Sequence, residues 1–288
     1  MAELAAHAER YVTLREVAHL NLRFPSSFGF VSELPWVPVS VTELHLTAHY
    51  FPIAIRLRDG VPSLGAILSD QYLIRAPITA TGDWQGGYQP IALRSYPLRI
   101  SRIDSPDPLQ QLEIPSDTES LSPQDGVPIT EDGGRPSQVI AAAYKLVRLL
   151  HDSQRVLAPA LDHLLIADLV IPLAGGQGEA RQHEADIFCV VDGARFARLG
   201  NRALAAMVRQ NFLTIDVAIA SLFSQRMLLP RRLPQAAAAA PDVAVLARSV
   251  GPMVYGLGDF QVALDEGELF SLDDLDAVHA SIGHPKSE

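Results

Sequence analysis

Cysteine is nearly absent from this chain of 288 residues, which contains Cys189 and no other. A single thiol cannot form an internal disulfide, and it excludes the paired-cysteine spacing of common zinc sites. Cys189 lies in the apolar run of residues 187–191. Because an apolar surrounding keeps a thiol protonated and shielded from reagents, we expect an inert core residue rather than a nucleophile.

Long apolar runs are also missing. No uninterrupted stretch approaches the roughly 20 apolar residues that span a bilayer, and the best candidate, residues 212–229, contains Asp216, Gln225 and Arg226. The first ten residues carry charged side chains where a secretory signal has its apolar centre. We therefore expect no membrane span and a cytoplasmic location. Export to the cell surface by a route that needs no signal peptide stays an open alternative.

Basic and aromatic residues are both in short supply. The chain has 33 acidic against 23 basic residues, a net charge of −10, and this field repels the phosphate backbone, so we expect no nucleic-acid partner. Aromatic residues make up only 7% of the chain, but the hydrophobic class reaches 48%. That is enough apolar material for a sizeable core, in one large domain or two smaller ones.

Hydrophobic patterning divides the chain into two halves of different character. Residues 51–57 and 88–100 are short runs of strand-forming residues interrupted by turns. Residues 41–50 predict a short helix capped by Ser40 or Thr42. Helical spacing begins after Ser137. It predicts helices at 138–150, 157–169, 201–211 and 212–227, with a strand at 187–191. The expected class is α+β, with a β-rich N-terminal half of short antiparallel strands and a helical C-terminal half.

Composition shifts predict four parts along the chain. Residues 1–104 form the β-rich part, and residues 137–234 form the mainly helical part. Between them, residues 105–136 are acidic and rich in Pro and Ser, and we expect a surface loop that buries little area to offset its ordering entropy. Residues 235–288 form a C-terminal extension that opens with an alanine-rich joint.

Aromatic and cationic side chains are most concentrated at Trp84, Tyr88, Arg94, Tyr96 and Arg99. A planar guanidinium beside aromatic faces can hold a carboxylate, a sugar or an aromatic ring. If these side chains converge on a cleft, they form a site for a peptide or a glycan. In the alternative, the rings fill the core of the β-rich part and the two arginines lie on its wet face.

His45 and His49 are weak candidates for a metal site. Four residues apart on a helix, they share one face, as a pair of metal ligands requires. A third ligand is not evident from the sequence, and the favoured interpretation is a pair of surface or hydrogen-bonded histidines. The glycine-rich residues 175–178 are not followed by the Lys-Ser/Thr pair of a phosphate-binding loop. The sequence therefore indicates no particular cofactor.

Several motifs follow one another in the order of a known family. They are Phe28-Gly29-Phe30, Glu43 with His49-Tyr50-Phe51-Pro52-Ile53, Gly82-Asp83-Trp84-Gln85-Gly86-Gly87-Tyr88-Gln89-Pro90 and Leu93-Arg94-Ser95-Tyr96-Pro97-Leu98. This succession resembles the SapC-like family of bacterial proteins. A looser similarity continues through Asp132-Gly133-Gly134-Arg135-Pro136-Ser137 to about residue 230.

The resemblance implies a protein associated by name with a bacterial surface layer, and other members look like accessory proteins beside outer-membrane receptors and flavin-dependent halogenases. It transfers no catalytic residues, and the Gly-x-Ser-x-Gly hydrolase motif is absent. We expect a soluble binding or accessory protein that recognises a peptide, a glycan or a partner protein through the region from Trp84 to Arg99. Two alternatives stay open: an enzyme or enzyme partner acting on amino-acid or peptide substrates, with a metal at His45 and His49, and a structural surface-layer subunit.

Overall fold

The structure is a computed structural model that describes residues 11–58, 60–116, 120–131, 133–174, 186–209 and 211–233. Its strands are β1 Tyr11–Thr13, β2 Asn21–Leu22, β3 Trp36–Pro38, β4 Ile53–Arg58, β5 Val61–Ile67, β6 Arg99–Ile100, β7 Leu112–Pro115, β8 Leu121–Ser122, β9 Val127–Pro128, β10 Val170–Pro172 and β11 Asp186–Val191. Its α-helices are α1 Leu44–Tyr50, α2 Ile91–Arg94, α3 Pro108–Gln111, α4 Gln138–Ile166, α5 Gly193–Ala197, α6 Asn201–Met207 and α7 Leu213–Ser224. Short 3-10 turns cover Gly29–Glu33, Val41–Glu43, Gln225–Met227 and Pro230–Arg232.

The main sheet is antiparallel and draws strands from both halves of the chain. Its order is β10-β11-β4-β5-β3, and two smaller sheets have the orders β1-β7-β6 and β8-β2-β9. The pairing of β11 with β4 places Ile187 opposite Leu57. The α+β class is confirmed, with most strands in the first half and the long helices α4 and α7 in the second. Among the described residues, no helix combines the length and apolar character needed to cross a membrane.

The two faces of the main sheet carry separate apolar clusters. Ile53 and Ile55 of β4 point into the first core, which also holds residues of α1, α4 and α7. Ala54, between them, belongs to the cluster on the opposite face together with Trp36 and Tyr72. This alternation follows from the period of two along a strand. Both faces are covered at the start of β4, so Ile53, Ala54 and Ile55 are all buried.

Residues 105–136 contain more structure than their composition predicts. The described part of this segment includes α3, β7, β8 and β9. Its apolar side chains are few, but they alternate on β7 and pack against Ile140, Ala143 and Val147 of α4 in a second core. The expectation of a loop that buries little is therefore wrong for these residues. Four of them are fully buried: Leu109, Leu112, Ile114 and Ile129.

The two helices predicted at 138–150 and 157–169 are a single helix, α4, which runs for 29 residues. The Ser137 hydroxyl accepts the backbone N–H of Ile140 and caps its start, as the sequence indicates. The helix continues through Pro159, which has no N–H to donate to the preceding turn. Burial of Leu161 and Leu164 in the first core compensates for that missing hydrogen bond.

The described residues all belong to one compact unit. The predicted part boundaries at residues 104 and 136 stay predictions. The C-terminal extension of residues 235–288 and the glycine-rich residues 175–178 lie outside the described residues.

Gln154 joins α4 to the main sheet. Its Nε2 donates to the carbonyl oxygens of Val39 at 2.7 Å and Leu64 at 3.0 Å. Its Oε1 accepts the Leu64 N–H at 3.2 Å. One amide side chain therefore satisfies backbone groups on two neighbouring segments at the end of β3 and within β5.

Replacing Gln154 by Leu should lower the free energy of unfolding by about 2–3 kcal/mol, because buried backbone groups lose their partners. Urea denaturation measures this loss. Gln138→Leu, at an exposed position of the same helix, is the matched control and should change stability by less than about 0.5 kcal/mol. Equal midpoints for the two variants would contradict the role given to Gln154.

Cys189 on β11 is buried in the first core, as expected from its sequence context. Burial raises the pKa of its thiol to about 11. At neutral pH the group is therefore protonated, and the reactive thiolate is scarce.

The thiol of native Cys189 should not react with an aromatic disulfide reagent at pH 8, although the unfolded chain should react fully. Absorbance of the released thiolate, followed across a urea series, measures the reaction. We expect its rate to follow the unfolded fraction. Stoichiometric reaction in the absence of urea would show that the thiol is accessible.

Candidate functional site

A buried carboxylate, Glu43, organises the region that the sequence predicts as a binding site. Glu43 is the last residue of the 3-10 turn that precedes α1, and it is only 3% exposed. This turn begins after Ser40, one of the two predicted caps. Its Oε1 accepts the Ser40 N–H at 2.9 Å. Its Oε2 accepts the Tyr88 hydroxyl at 2.7 Å and the Ile91 N–H at 2.8 Å. Glu43 thus ties the entry of α1 to the segment of residues 88–91.

Tyr88 and Arg94 extend this chain of hydrogen bonds toward the surface. Arg94 Nη2 donates to the Tyr88 hydroxyl at 3.3 Å, and the guanidinium carbon lies 5.8 Å from the Tyr88 ring centroid. Burial raises the pKa of Tyr88, and the neighbouring Glu43 carboxylate raises it further. Tyr88 therefore stays protonated and keeps donating to Glu43. Both Tyr88 and Arg94 are half-buried.

The same carboxylate explains a wrong secondary-structure prediction. Residues 88–100 were expected to be extended, but α2 occupies Ile91–Arg94 and β6 covers Arg99–Ile100. Pro90 precedes the helix, and the first helical N–H, that of Ile91, donates to Glu43. A distant acid therefore satisfies the start of a helix of one turn, a length that is not stable on its own.

Trp84 and Tyr96 pack against phenylalanines at the margin of the first core. The Trp84 ring centroid lies 5.3 Å from that of Phe28 and 5.5 Å from that of Phe51. Tyr96 stacks on Phe30 with centroids 4.1 Å apart and planes inclined by 8°. These are the contacts of core-filling side chains, although both residues keep part of their surface exposed.

Arg99 lies apart from the other four predicted site residues, in the sheet β1-β7-β6. Its Nε donates to Glu113 Oε1 at 2.6 Å, and its guanidinium carbon lies 2.9 Å from the Tyr11 ring centroid. The structure therefore brings Tyr88 and Arg94 into direct contact. It does not place Arg99 with them.

His45 and His49 are exposed and face α7. His45 Nε2 lies 4.0 Å from Asp216 Oδ1, and the His49 ring meets the Phe223 ring edge-on with centroids 4.9 Å apart. Within the part of the chain that the structure describes, no group of three or more His, Cys, Asp or Glu side chains could hold a metal ion. The two histidines contact the partner helix individually.

The helix α7 buries mainly small side chains and exposes two large ones, Ile219 and Phe223. Apolar spacing along residues 212–229 predicts a stripe that includes Phe212, Ile215, Ile219 and Leu222. Ile215 and Leu222 do pack against the first core, but Phe212 and Ile219 are 68% and 49% exposed, so the prediction is wrong for these two. The buried face is small because α7 approaches the sheet closely. The Ser224 hydroxyl accepts the Ile53 N–H at 2.8 Å, and the Ser221 hydroxyl accepts the Val191 N–H at 3.2 Å. The buried residues are Thr214, Val217, Ala218, Ala220, Ser221 and Ser224.

Large apolar side chains are exposed on the neighbouring helices α1 and α7, and one of them lies next to Tyr88. Tyr50 is 42% exposed and stacks on Tyr88 with centroids 6.4 Å apart. Leu46 lies one turn before Tyr50, and Ile219 lies one turn before Phe223. We name the set Leu46, Tyr50, Tyr88, Ile219 and Phe223 the aromatic strip.

Fold and site together define an α+β protein with a hydrogen-bonded chain from the buried Glu43 to the half-buried Tyr88 and Arg94, beside exposed aromatic side chains. The chain belongs to the SapC family, whose model matches residues 14–228. The family resemblance read from the motifs is thereby confirmed. The matched range includes Glu43, Tyr88, Arg94 and all of α7. No curated protein and no solved structure matched the chain.

Sequence reasoning missed two features of this region. The first is Glu43, which appears in a family motif but was given no structural or binding role. A Glu three residues after Ser40 is a capping-box spacing, which is a usable indicator of a hydrogen-bonded carboxylate. It also missed the exposed face of α7. The small residues Thr214, Ser221 and Ser224, at helical spacing, were the available indicator.

Tyr88→Phe should lower the free energy of unfolding by about 1–3 kcal/mol, because the buried Glu43 carboxylate loses one of its three donors. Thermal and urea unfolding measure the change. Tyr50→Phe removes an exposed hydroxyl from the neighbouring ring and serves as the control. If both variants unfold with the same midpoint, the Tyr88–Glu43 hydrogen bond does not matter for stability.

Proposed function

We propose that this SapC family member is a binding or accessory protein without catalytic chemistry of its own. Its ligand is a peptide, a glycan or a partner protein, and it is held at the aromatic strip beside the segment from Trp84 to Tyr96. The observation that supports this most is the exposure of Tyr50, Ile219 and Phe223, at 42%, 49% and 38%, on two adjacent helices. Contiguous exposed apolar surface on a folded protein marks an interaction site.

The composition of the surface favours a polypeptide among the three ligand classes. Tyrosine and arginine are enriched where protein interfaces carry most of their binding energy. Arg226 lies with its guanidinium carbon 3.6 Å from the Phe223 ring centroid, and Arg94 lies beside Tyr88. Two rings of the strip, Phe223 and Tyr88, therefore each have a cationic side chain beside them. Such a pattern fits a segment with apolar side chains flanked by acids.

The strip is also held in place before any ligand arrives. α7 is tied to the sheet through its serine hydroxyls, and Tyr88 is held by Glu43. Side chains on fixed helices lose little conformational entropy when they bind, so more of the contact energy appears as affinity. A glycan would use the Tyr50 and Tyr88 ring faces instead, by stacking.

Phe223→Ser is the variant that tests this proposal. Peptides selected from a random displayed library on the immobilised full-length chain serve as probes, and their affinities are then measured by calorimetry. We expect Phe223→Ser to weaken the selected peptides by about tenfold or more, as for the loss of an aromatic interface anchor. Trp84→Ala is less suitable, because it would also remove core contacts with Phe28 and Phe51.

Ile103→Ser is the matched control, since Ile103 is 52% exposed and lies outside the strip. It should leave the affinities unchanged. Failure to enrich any peptide, or equal effects of Phe223→Ser and Ile103→Ser, would overturn the assignment of this surface to polypeptide recognition.

A further inference from the structure

The outer face of α7 carries a stripe of side chains that reach the solvent. Five of them recur at steps of three or four residues: Phe212, Asp216, Ile219, Phe223 and Arg226. Steps of this size keep side chains on one face of a helix. Four of the five residues are exposed, and the fifth, Asp216, keeps 45% of its side-chain surface exposed. We name this set the α7 stripe; it lies opposite the small side chains that pack on the sheet.

Exposed aromatic residues are concentrated on this side of the protein. The described residues include three, Tyr50, Phe212 and Phe223, and each lies on α1, on α7 or directly before α7. The two helices are in contact, since the rings of His49 and Phe223 meet with centroids 4.9 Å apart. Aromatic side chains are enriched where one folded protein contacts another. The surface therefore has the composition of a protein interface.

The order of side chains along the α7 stripe is self-complementary. Asp216 and Arg226 are equally far from position 221, and so are Ile219 and Phe223. A second α7 can run antiparallel across the first, about a twofold axis at that position. Asp216 then lies opposite Arg226 of the second copy, and Ile219 lies opposite its Phe223. In a twofold interface each such contact occurs twice.

A parallel arrangement of the two helices lacks this complementarity. It would set Asp216 against Asp216 and Arg226 against Arg226, and like charges that face each other across an interface are unfavourable. The antiparallel pair also brings the positive end of each helix dipole beside the negative end of the other. Charge and dipole therefore favour the same orientation.

The two charged groups keep the capacity to bind a second copy. Asp216 Oδ1 lies 4.0 Å from His45 Nε2. The Arg226 guanidinium lies over the Phe223 ring, and its Nη2 donates to the His49 carbonyl oxygen at 3.5 Å. A carboxylate accepts up to about four hydrogen bonds, and a guanidinium donates up to about five. These contacts therefore leave donors and acceptors on both groups for a partner.

We propose that two copies of this chain associate through antiparallel α7 helices and cover each other's aromatic strip. Ile219 and Phe223 form the apolar centre, which supplies most of the affinity, and two Asp216–Arg226 pairs fix the orientation. Tyr50 lies beside this centre on α1. The inference rests on the proposed function, because it names a second copy of the chain as a partner of the same surface. A peptide ligand and the second copy then compete for the strip.

Charge reversal at the two ends of the stripe tests this pairing. In sedimentation equilibrium, the mass of the wild-type full chain should rise with concentration from that of one copy to that of two. Asp216→Arg and Arg226→Asp should each weaken the association about tenfold or more, because each variant sets like charges opposite each other twice.

An equimolar mixture of the two variants should associate as the wild type does. Each reversed charge then faces an opposite charge on the other copy, so two favourable pairs return. Recovery in the mixture also shows that both variants are folded. The controls are Asp104→Arg and Arg102→Asp, which reverse exposed charges outside α1 and α7. Each control alone should associate as the wild type does.

Three results would each overturn the inference. They are a wild-type chain that stays monomeric at about 1 mM, an association that neither reversal weakens, and a mixture that stays monomeric although both variants keep the native circular dichroism. The proposed function survives these results if Phe223→Ser still weakens the selected peptides. Conversely, a dimer that behaves as expected in a chain that enriches no peptide would contradict peptide recognition alone.

Discussion

The region predicted to bind a ligand depends on the burial of a single carboxylate. Glu43 is 3% exposed and charged groups at such positions require donors, which Ser40, Tyr88 and Ile91 provide. These three donors come from two segments more than forty residues apart in sequence. The hydrogen bonds that Glu43 accepts therefore fix the position of the Tyr88 segment and the start of α2. They also position Tyr88, to which Arg94 donates.

A second constraint, the close approach of α7 to the sheet, determines which surface faces the solvent. Serine and alanine side chains fill the contact, and the Ser221 and Ser224 hydroxyls accept backbone N–H groups of β11 and β4. Ile219 and Phe223 lie on the opposite face of α7 and point outward. The exposed aromatic strip is thus a consequence of how the helix packs.

Local sequence patterns predicted secondary structure and burial correctly where tertiary contacts agreed with the local preference. The strand around Ile53 and Ile55, the helix that ends at Tyr50 and the buried Cys189 are such cases. The patterns failed where a distant contact competed with local preference. Pro159 does not break α4, because burial of Leu161 and Leu164 outweighs one missing hydrogen bond. The acidic segment 105–136 forms strands, because β7 finds a partner in β1.

The sequence by itself determined the α+β class, the family resemblance, the acidic net charge and the concentration of aromatic and cationic residues between 84 and 99. Each of these depends on composition, on motif order or on periodicity over a few turns. The tertiary structure alone decided that Arg99 lies outside that set, that Glu43 supports it and that α7 turns Ile219 and Phe223 outward. Those outcomes depend on contacts between residues far apart in the chain. A buried carboxylate needs hydrogen-bond donors, and a helix face needs a surface that it can pack against closely; folding brings both from distant segments.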